Sequence, residues 1–388
     1  MCYNRSFYKG IKMDNRIVFI AEMRNPKTEA SSTQIMTRNL LHGFCKLSDD
    51  VIFVPVIADD KDKKDIKDYY LSVCNHIIFA KETSMYKKRV IGRQIIWLKN
   101  SLLPPKMCVP EELMKEITDD TVVISQSPSV DTAVICKRLK KVCPRIQYIQ
   151  YWGDPLALSL ITPNEYTFKR SILKYIEEIL HKSADKVAFG TESLYRAEIE
   201  LFPSIKEKAF ACCVSYMPEA ISVKRSSSVI RFGYFGNYYS KIRNLRPLYE
   251  AFHSVDGAEL LICGSTDLDF VDSKNITVME RIPQNQVEEY EEQLDVEICV
   301  LNTVGVQVPG KIFYHTNTPK LILVILDGPR KKEIKNELDK SHRFLFCENN
   351  TNDINRAIKD IISGKYKNIV YDTEYYSPET VCRQILNG

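Results

Sequence analysis

No apolar stretch in the chain approaches the length of a membrane-spanning helix; blocks such as LILVIL and VIFVPVIA are on the scale of buried strands. The opening residues, MCYNRSFYKGIKMDNR, lack the apolar core of a secretory signal, and Met13 stands just before the first strand-like run. The first dozen residues therefore read as a leader outside the fold. There are 12 cysteines but no C-x-x-C pair, which excludes a zinc ribbon and a thioredoxin-type motif. Several lie inside apolar runs (LLICG, EICVLN), where a free thiol behaves as a small core hydrophobe, and a reducing compartment is the simplest reading. None of the 6 histidines pairs with a second ligand at useful spacing, so no metal is expected. G-x-x-x-x-G-K-[ST], H-E-x-x-H and G-x-S-x-G are all missing, and EMRNPKTEASS after the first strand supplies no dinucleotide-binding glycines. The 54 basic and 50 acidic residues leave a net charge of +4, too small to indicate a nucleic-acid partner. A cytoplasmic protein is expected.

What is present is an ordinary globular composition, 44% hydrophobic and 27% charged, which excludes a disordered or collagen-like chain. A length of 388 residues suggests two domains, each able to bury its own core. Short apolar runs alternate with amphipathic segments throughout, the signature of parallel α/β structure. The alternation pauses at the basic, serine-rich SVKRSSSV and then restarts. The organisation expected is a first domain over 1–221, a linker over 222–228, a second domain over 229–375, and a terminal helix over 376–388 crossing back to the first. The fold class expected is α/β, with two Rossmann-like doubly wound domains facing across a cleft. Ligands bind at the carboxyl ends of the strands in such sheets.

Several segments carry residue types suited to chemistry. In GVQVPGKIFYHTNTPK (305–320), Pro309 and Gly310 open a helix with Lys311 in its first turn. Free backbone N–H groups, the helix dipole and an ammonium together suit a diphosphate; the alternative is a Pro-initiated helix with a solvated lysine. In GYFGNYYSKIR (233–243), Gly236 and Asn237 let backbone approach a phosphate, and Arg243 or Lys241 can neutralise it as a leaving group departs. The same Gly-Asn pair also reads as a tight turn. Asp154 in YWGDP ends a first-domain strand, as a turn former or as a partner for an acceptor hydroxyl. Glu219 lies at the domain junction, and the polar loop that starts at Asn25 reads as a contact for acceptor or phosphate or as a helix cap by Ser32 or Thr33. Between 87 and 106, six lysines and arginines interleave with Trp97 and aliphatic residues, with no acidic residue among them. Such a stretch reads as an ordinary surface helix or as a peripheral contact with an anionic membrane face.

Taken in order, these segments resemble the family-4 (group 1) glycosyltransferases of GT-B fold. The PGKIFYH run is similar to that family's P-[SG]-K segment, and FGYFGNYYSKIRNLRPLYEAF (232–252) to the opening of its second domain. AELLICGS (258–265) resembles the next strand, and ITVMERIPQNQVEEYEEQLDVEICVLN (276–302) the base-binding loop with its helix and strand. YWGDP (151–155) and SADKVAFGTESL (183–194) resemble first-domain pieces.

The resemblance implies transfer of a sugar, with retention and without a metal, from a nucleotide-sugar donor held by the second domain. It makes Asp154, Arg243 and Lys311 the catalytic candidates, and Gly236, Asn237, Lys241, Arg281, Ile282, Pro309, Gly310, Tyr314 and His315 the donor-binding ones. The acceptor implied is a saccharide or a lipid-linked one, in polysaccharide or glycoconjugate assembly at the inner membrane face. The nucleotide sugar is a co-substrate and no cofactor is implied. The chain departs from the pattern at the family's two glutamates, whose positions fall on Val306 and Tyr314, so ribose hydroxyls would instead meet Tyr314 or His315. A nucleotide-sugar epimerase and a non-catalytic sugar-binding or scaffold protein are the rival readings.

Overall fold

The computed structural model describes residues 14–26, 32–81, 109–127, 130–159, 167–217, 229–366 and 374–388. The serine-rich segment 222–228, Glu219 and the basic stretch 87–106 lie outside the described residues. The chain divides into two compact units, one gathering 1–157, 162–215 and 378–388, the other 158–161 and 216–377.

In unit 1 the strands are β1 (Ile17–Met23), β2 (Val51–Ile57), β3 (His76–Ile77), β4 (Ala80–Lys81), β5 (Val122–Ser127), β6 (Gln147–Trp152), β7 (Lys186–Phe189) and β8 (Ala209–Ala211). They form a parallel sheet of order β3-β2-β1-β5-β6-β7-β8, with β4 also on β2. The helices are α1 (Ser32–Leu47), α2 (Lys63–Tyr70), α3 (Glu111–Glu116), α4 (Val130–Val142), α5 (Thr167–Lys182) and α6 (Glu192–Leu201). A sheet covered on both faces needs strands that are apolar throughout, and β1 and β2 are buried almost end to end. Pro55 sits inside β2. It has no N–H to give, and the outer pairing is broken opposite it: β3 pairs with Ile52 and Phe53, β4 with Val56 and Ile57. Phe19 packs on Phe44 and Phe53, and Phe53 on Tyr70, tying the sheet to α1 and α2.

Unit 2 contains β9 (Ile230–Phe235), β10 (Ala258–Cys263), β11 (Ile276–Met279), β12 (Val296–Val300), β13 (Leu321–Leu326) and β14 (Leu345–Glu348). All pairs are parallel, in the order β11-β10-β9-β12-β13-β14. Its helices are α7 (Arg246–Phe252), α8 (Gln284–Glu291), α9 (Lys311–Tyr314), α10 (Lys331–Asp339) and α11 (Thr351–Ile362). Phe232, Leu248, Phe252, Leu260, Ile298, Leu323, Ile354 and Ile358 fill one face of this sheet. The chain runs outward from β9 to β11 and returns to lay β12 beside β9. The order of strand addition therefore reverses between β9 and β12, where a ligand crevice opens in such folds.

The last helix, α12 (Pro378–Asn387), is carried by unit 1 and lies along α1. Gly43 makes that approach close: a Cβ there would sit 2.3 Å from the Pro378 carbonyl oxygen. Val381, Cys382, Ile385 and Leu386 join the unit 1 core, and the Cys382 thiol donates to the Leu40 carbonyl at 3.2 Å.

Candidate functional site

Because every strand of unit 2 is parallel, the loops after β9, β10, β11 and β12 leave the sheet at one edge. Gly236, directly after β9, has φ +139° and donates its N–H to the Cys263 carbonyl at 2.9 Å. The β10 loop presses against it: a Cβ on Gly264 would meet the Gly236 carbonyl oxygen at 2.0 Å. Asn237 accepts the Ser265 N–H at 3.3 Å through its side chain. Where the resemblance calls for phosphate, the half-buried Gly236 lets two loops pack closely, and its N–H is already engaged.

Arg243 bridges the switch point. Its Nη2 and Nε donate to Asn302 Oδ1 at 2.7 and 3.2 Å, and Nη1 reaches the Tyr234 hydroxyl at 3.3 Å and the Asn237 carbonyl at 3.4 Å. Asn302 is buried just beyond β12 and donates to the Gln307 carbonyl at 3.0 Å. One guanidinium therefore holds the β9 loop to the β12 loop with its fork half-buried. Lys241 is exposed, and its carbonyl accepts from the Thr303 hydroxyl at 2.7 Å. Of the two cations in this segment, Arg243 is the one built into the edge.

Lys311 approaches the same edge from α9. Its ammonium lies 5.6 Å from the centre of the Phe235 ring, at the end of β9, and 3.9 Å from Glu291 Oε1. Burial pushes the Cys299 thiol, on β12, up to about 12, with Glu297 adding to the shift while Lys311 and Arg243 oppose it. Arg243 reaches the end of β12 through Asn302, while Lys311 stands over the end of β9.

The helix itself is shorter than the sequence suggests. α9 is a single turn, and the N–H groups of Ile312 and Phe313 already donate to the Pro309 and Gly310 carbonyls at 3.1 and 3.0 Å. A one-turn helix has little dipole, so what Pro309 and Gly310 position is chiefly the Lys311 ammonium.

Tyr314 and His315 do not present their side chains as the expectation for ribose required; they are 3% and 5% exposed. His315 instead faces Glu291 at 3.3 Å and Glu297 at 3.9 Å, and Glu297 is paired to the buried Lys320 at 2.9 Å. Burial disfavours the charged imidazole, but Glu297 and Glu291 outweigh it and hold His315 above its ordinary value. Burial likewise works against the Glu291 carboxylate, and His315, Lys311 and Lys320 bring it below its ordinary value. The turn after α9 is tied from beneath by the fully buried Arg343, which donates to the carbonyls of Thr316 (2.9 Å), Thr318 (2.9 Å) and Lys320 (2.7 Å). Arg281 is exposed, and Ile282 packs partly buried beside Phe235, Cys263, Val287 and Leu294, leaving an apolar wall at the end of β11.

Asp154 belongs to unit 1, on the half-exposed turn after β6. That turn is anchored by Glu177 of α5, whose two carboxylate oxygens accept the N–H groups of Leu156 and Ala157 at 2.9 and 2.8 Å. Sequence reasoning missed Asn302, Glu291, Glu297, Arg343 and Glu177. The only sequence signal was the acidic run EEYEEQLDVE, which reads equally well as a solvated helix face.

No family model matches the chain, and no curated protein matches it. Solved structures do. The Anabaena protein HepE, in complex with UDP and glucose, matches at 10% identity and TM-score 0.59, over 96% of this chain and 98% of that one. A trehalose-6-phosphate structure from E. coli bound with UDP-2-fluoro glucose matches at 10% identity and TM-score 0.53, over 96% of each chain. A UDP-N-acetylglucosamine 2-epimerase matches at 12% identity and TM-score 0.52, over 96% of this chain and 95% of that one. The fold is GT-B, built of two Rossmann-like units. At these identities the likeness speaks for the fold alone.

Proposed function

We propose that the chain is a glycosyltransferase that moves a sugar from a nucleoside-diphosphate donor to a hydroxyl of a saccharide or lipid-linked acceptor. The observation that carries this reading is Arg243, half-buried and spanning the β9 and β12 loops at the sheet's switch point, with Lys311 over the Phe235 ring at the end of β9. Two cations at this strand edge suit a diphosphate whose negative charge grows as the glycosidic bond breaks. Arg243 donates to the leaving phosphate, Lys311 neutralises it as a point charge, and the Ile282 wall covers the base. Asp154 is the candidate for orienting the acceptor hydroxyl. Retention, independence of metal in the transfer step, a place in polysaccharide assembly and family-4 membership rest on the sequence resemblance. Contact of residues 87–106 with an anionic membrane belongs to the same reading.

The epimerase reading shares the fold and the UDP-sugar chemistry named for that relative. A panel of nucleotide sugars, UDP-sugars first, separates the alternatives when binding heat, nucleotide release and the recovered sugar are read together. Binding with acceptor-dependent release of nucleoside diphosphate is the expected result. A changed sugar without an acceptor identifies an epimerase, and binding without turnover a non-catalytic protein.

A further inference from the structure

Behind the Asp154 turn, and apart from the proposed donor site, unit 1 buries a second polar cluster. Glu177 and His181 are one turn apart on α5, and Glu198 faces them from α6. All three side chains are 0% exposed. The rings of Trp152, Phe189 and Phe202 surround His181 at centroid distances of 4.8, 5.9 and 5.3 Å. This is a dry site with two carboxyl groups in it.

The hydrogen bonds fix the form of the histidine. Gln150 donates its amide to the Leu180 carbonyl at 2.9 Å and to the Tyr148 hydroxyl at 3.0 Å, so its oxygen is the acceptor facing the Trp152 N–H at 3.2 Å and His181 Nδ1 at 3.3 Å. Nδ1 therefore carries the proton, and Nε2 turns a bare lone pair towards Glu198 Oε2 at 3.8 Å. Neither Glu198 oxygen nor His181 Nε2 has a hydrogen-bond partner among the described residues. Two acceptors that face each other in a dry interior need a positive centre between them.

We propose that Glu177, His181 and Glu198 bind one divalent metal ion of the zinc class, which locks the turn carrying Asp154. Two carboxylates and a neutral imidazole balance a double positive charge, so three ligands with a water in the fourth position carry no net charge into the interior. One ligand atom from each residue lies within 4.8 Å of the other two. Ligands on a tetrahedral zinc stand about 3.4 Å apart, given metal–ligand bonds of about 2.0–2.2 Å. The 3.8 Å between Nε2 and Glu198 Oε2 is close to that separation. Small rotations of the two glutamates close the remainder. An imidazole ligand and a low ligand count favour zinc over magnesium or calcium. Gln150, holding Nδ1, is the outer partner that orients the ring. Glu177 and His181 lie at i, i+4 in YIEEILH, a spacing within one helix face, and the fold supplies Glu198. Since Glu177 also accepts the N–H groups of Leu156 and Ala157, occupancy of the metal site is transmitted to the turn beside it.

The test uses the full chain, stripped with a chelator and titrated with ZnCl2. The expected result is about one zinc per chain, since one ligand set is present, with a rise in melting temperature of roughly 5–10 °C at a hundredfold excess over Kd. Glu198→Gln and His181→Gln should each weaken zinc binding by at least roughly a hundredfold, beyond the 10–100-fold typical of losing an outer partner. His253→Gln, at an exposed histidine of unit 2, should change nothing. X-ray absorption at the zinc edge of the wild-type protein gives a reading that does not depend on the variants folding. It should show nitrogen and oxygen ligands without sulfur. Sulfur ligation, zinc uptake unchanged in both variants, or a stripped protein that takes up no zinc would each overturn the proposal. The last result would mean that a proton shared by Glu198 and His181 occupies the gap.

Discussion

Replacing Arg243 with alanine separates a brace from a catalytic cation. Arg243 supplies both of the short bonds to Asn302 Oδ1, and Asn302 is only 8% exposed, so alanine strands a buried acceptor. That costs about 1–3 kcal/mol, which lowers the melting temperature of a unit this size by roughly 2–12 °C. The effect on transfer is a separate quantity. A charge-assisted bond to the leaving diphosphate is worth about 1.5–3 kcal/mol, so its loss should slow turnover roughly 10- to 150-fold. Because that charge develops in the transition state, kcat should fall more than KM rises. Arg243→Lys keeps the charge but loses the fork, so it should melt like alanine while recovering part of kcat. The assays are calorimetric melting and nucleotide-release kinetics at saturating donor. If Arg243→Ala melts early yet turns over within twofold of wild type, Arg243 is a loop brace only, and the proposed donor chemistry loses its principal cation.

Three further outcomes are expected. Lys311→Ala should weaken nucleoside-diphosphate binding at least roughly tenfold by titration calorimetry while barely moving the melt, because its ion pair with Glu291 is long at 3.9 Å and partly exposed. Lys320→Met leaves Glu297 buried without its cation and should cost about 3–5 kcal/mol by urea denaturation, with Glu297→Gln in the same chain restoring much of it. His315 is held above its unfolded value of 6.5, so the stability it contributes is fully present below pH 6.5 and is lost as pH rises through its folded value. Glu291 is depressed below 4.5, so its contribution is present above pH 4.5 and is lost as pH falls through its folded value. Melting temperature against pH should therefore decline above pH 6.5, and His315→Gln should flatten that decline; an unchanged slope in the variant would remove His315 as its source.

The sequence by itself determined the class of fold, because burial on both faces of a parallel sheet leaves a local mark. LILVIL is apolar throughout, IVFIAEM and AELLIC apolar but for one glutamate each, and the helices between them carry one apolar stripe. It also marked Gly236 and Arg243, since a glycine after a strand and a nearby cation are signals contained within a dozen residues. The tertiary structure decided which of the two cations is built into the edge: Arg243 meets Asn302, 59 residues away, only because β12 lies beside β9. It also decided that Tyr314 and His315 face inward. Both are buried, His315 turning onto Glu291 and Glu297, and no local pattern distinguishes that outcome from an exposed turn. Glu198 is the plainest case. A glutamate on an amphipathic helix reads as solvated until β6, β7 and α5 close over it, because the sequence encodes periodicity along the chain, whereas the partner of a buried charge depends on which elements the topology makes neighbours.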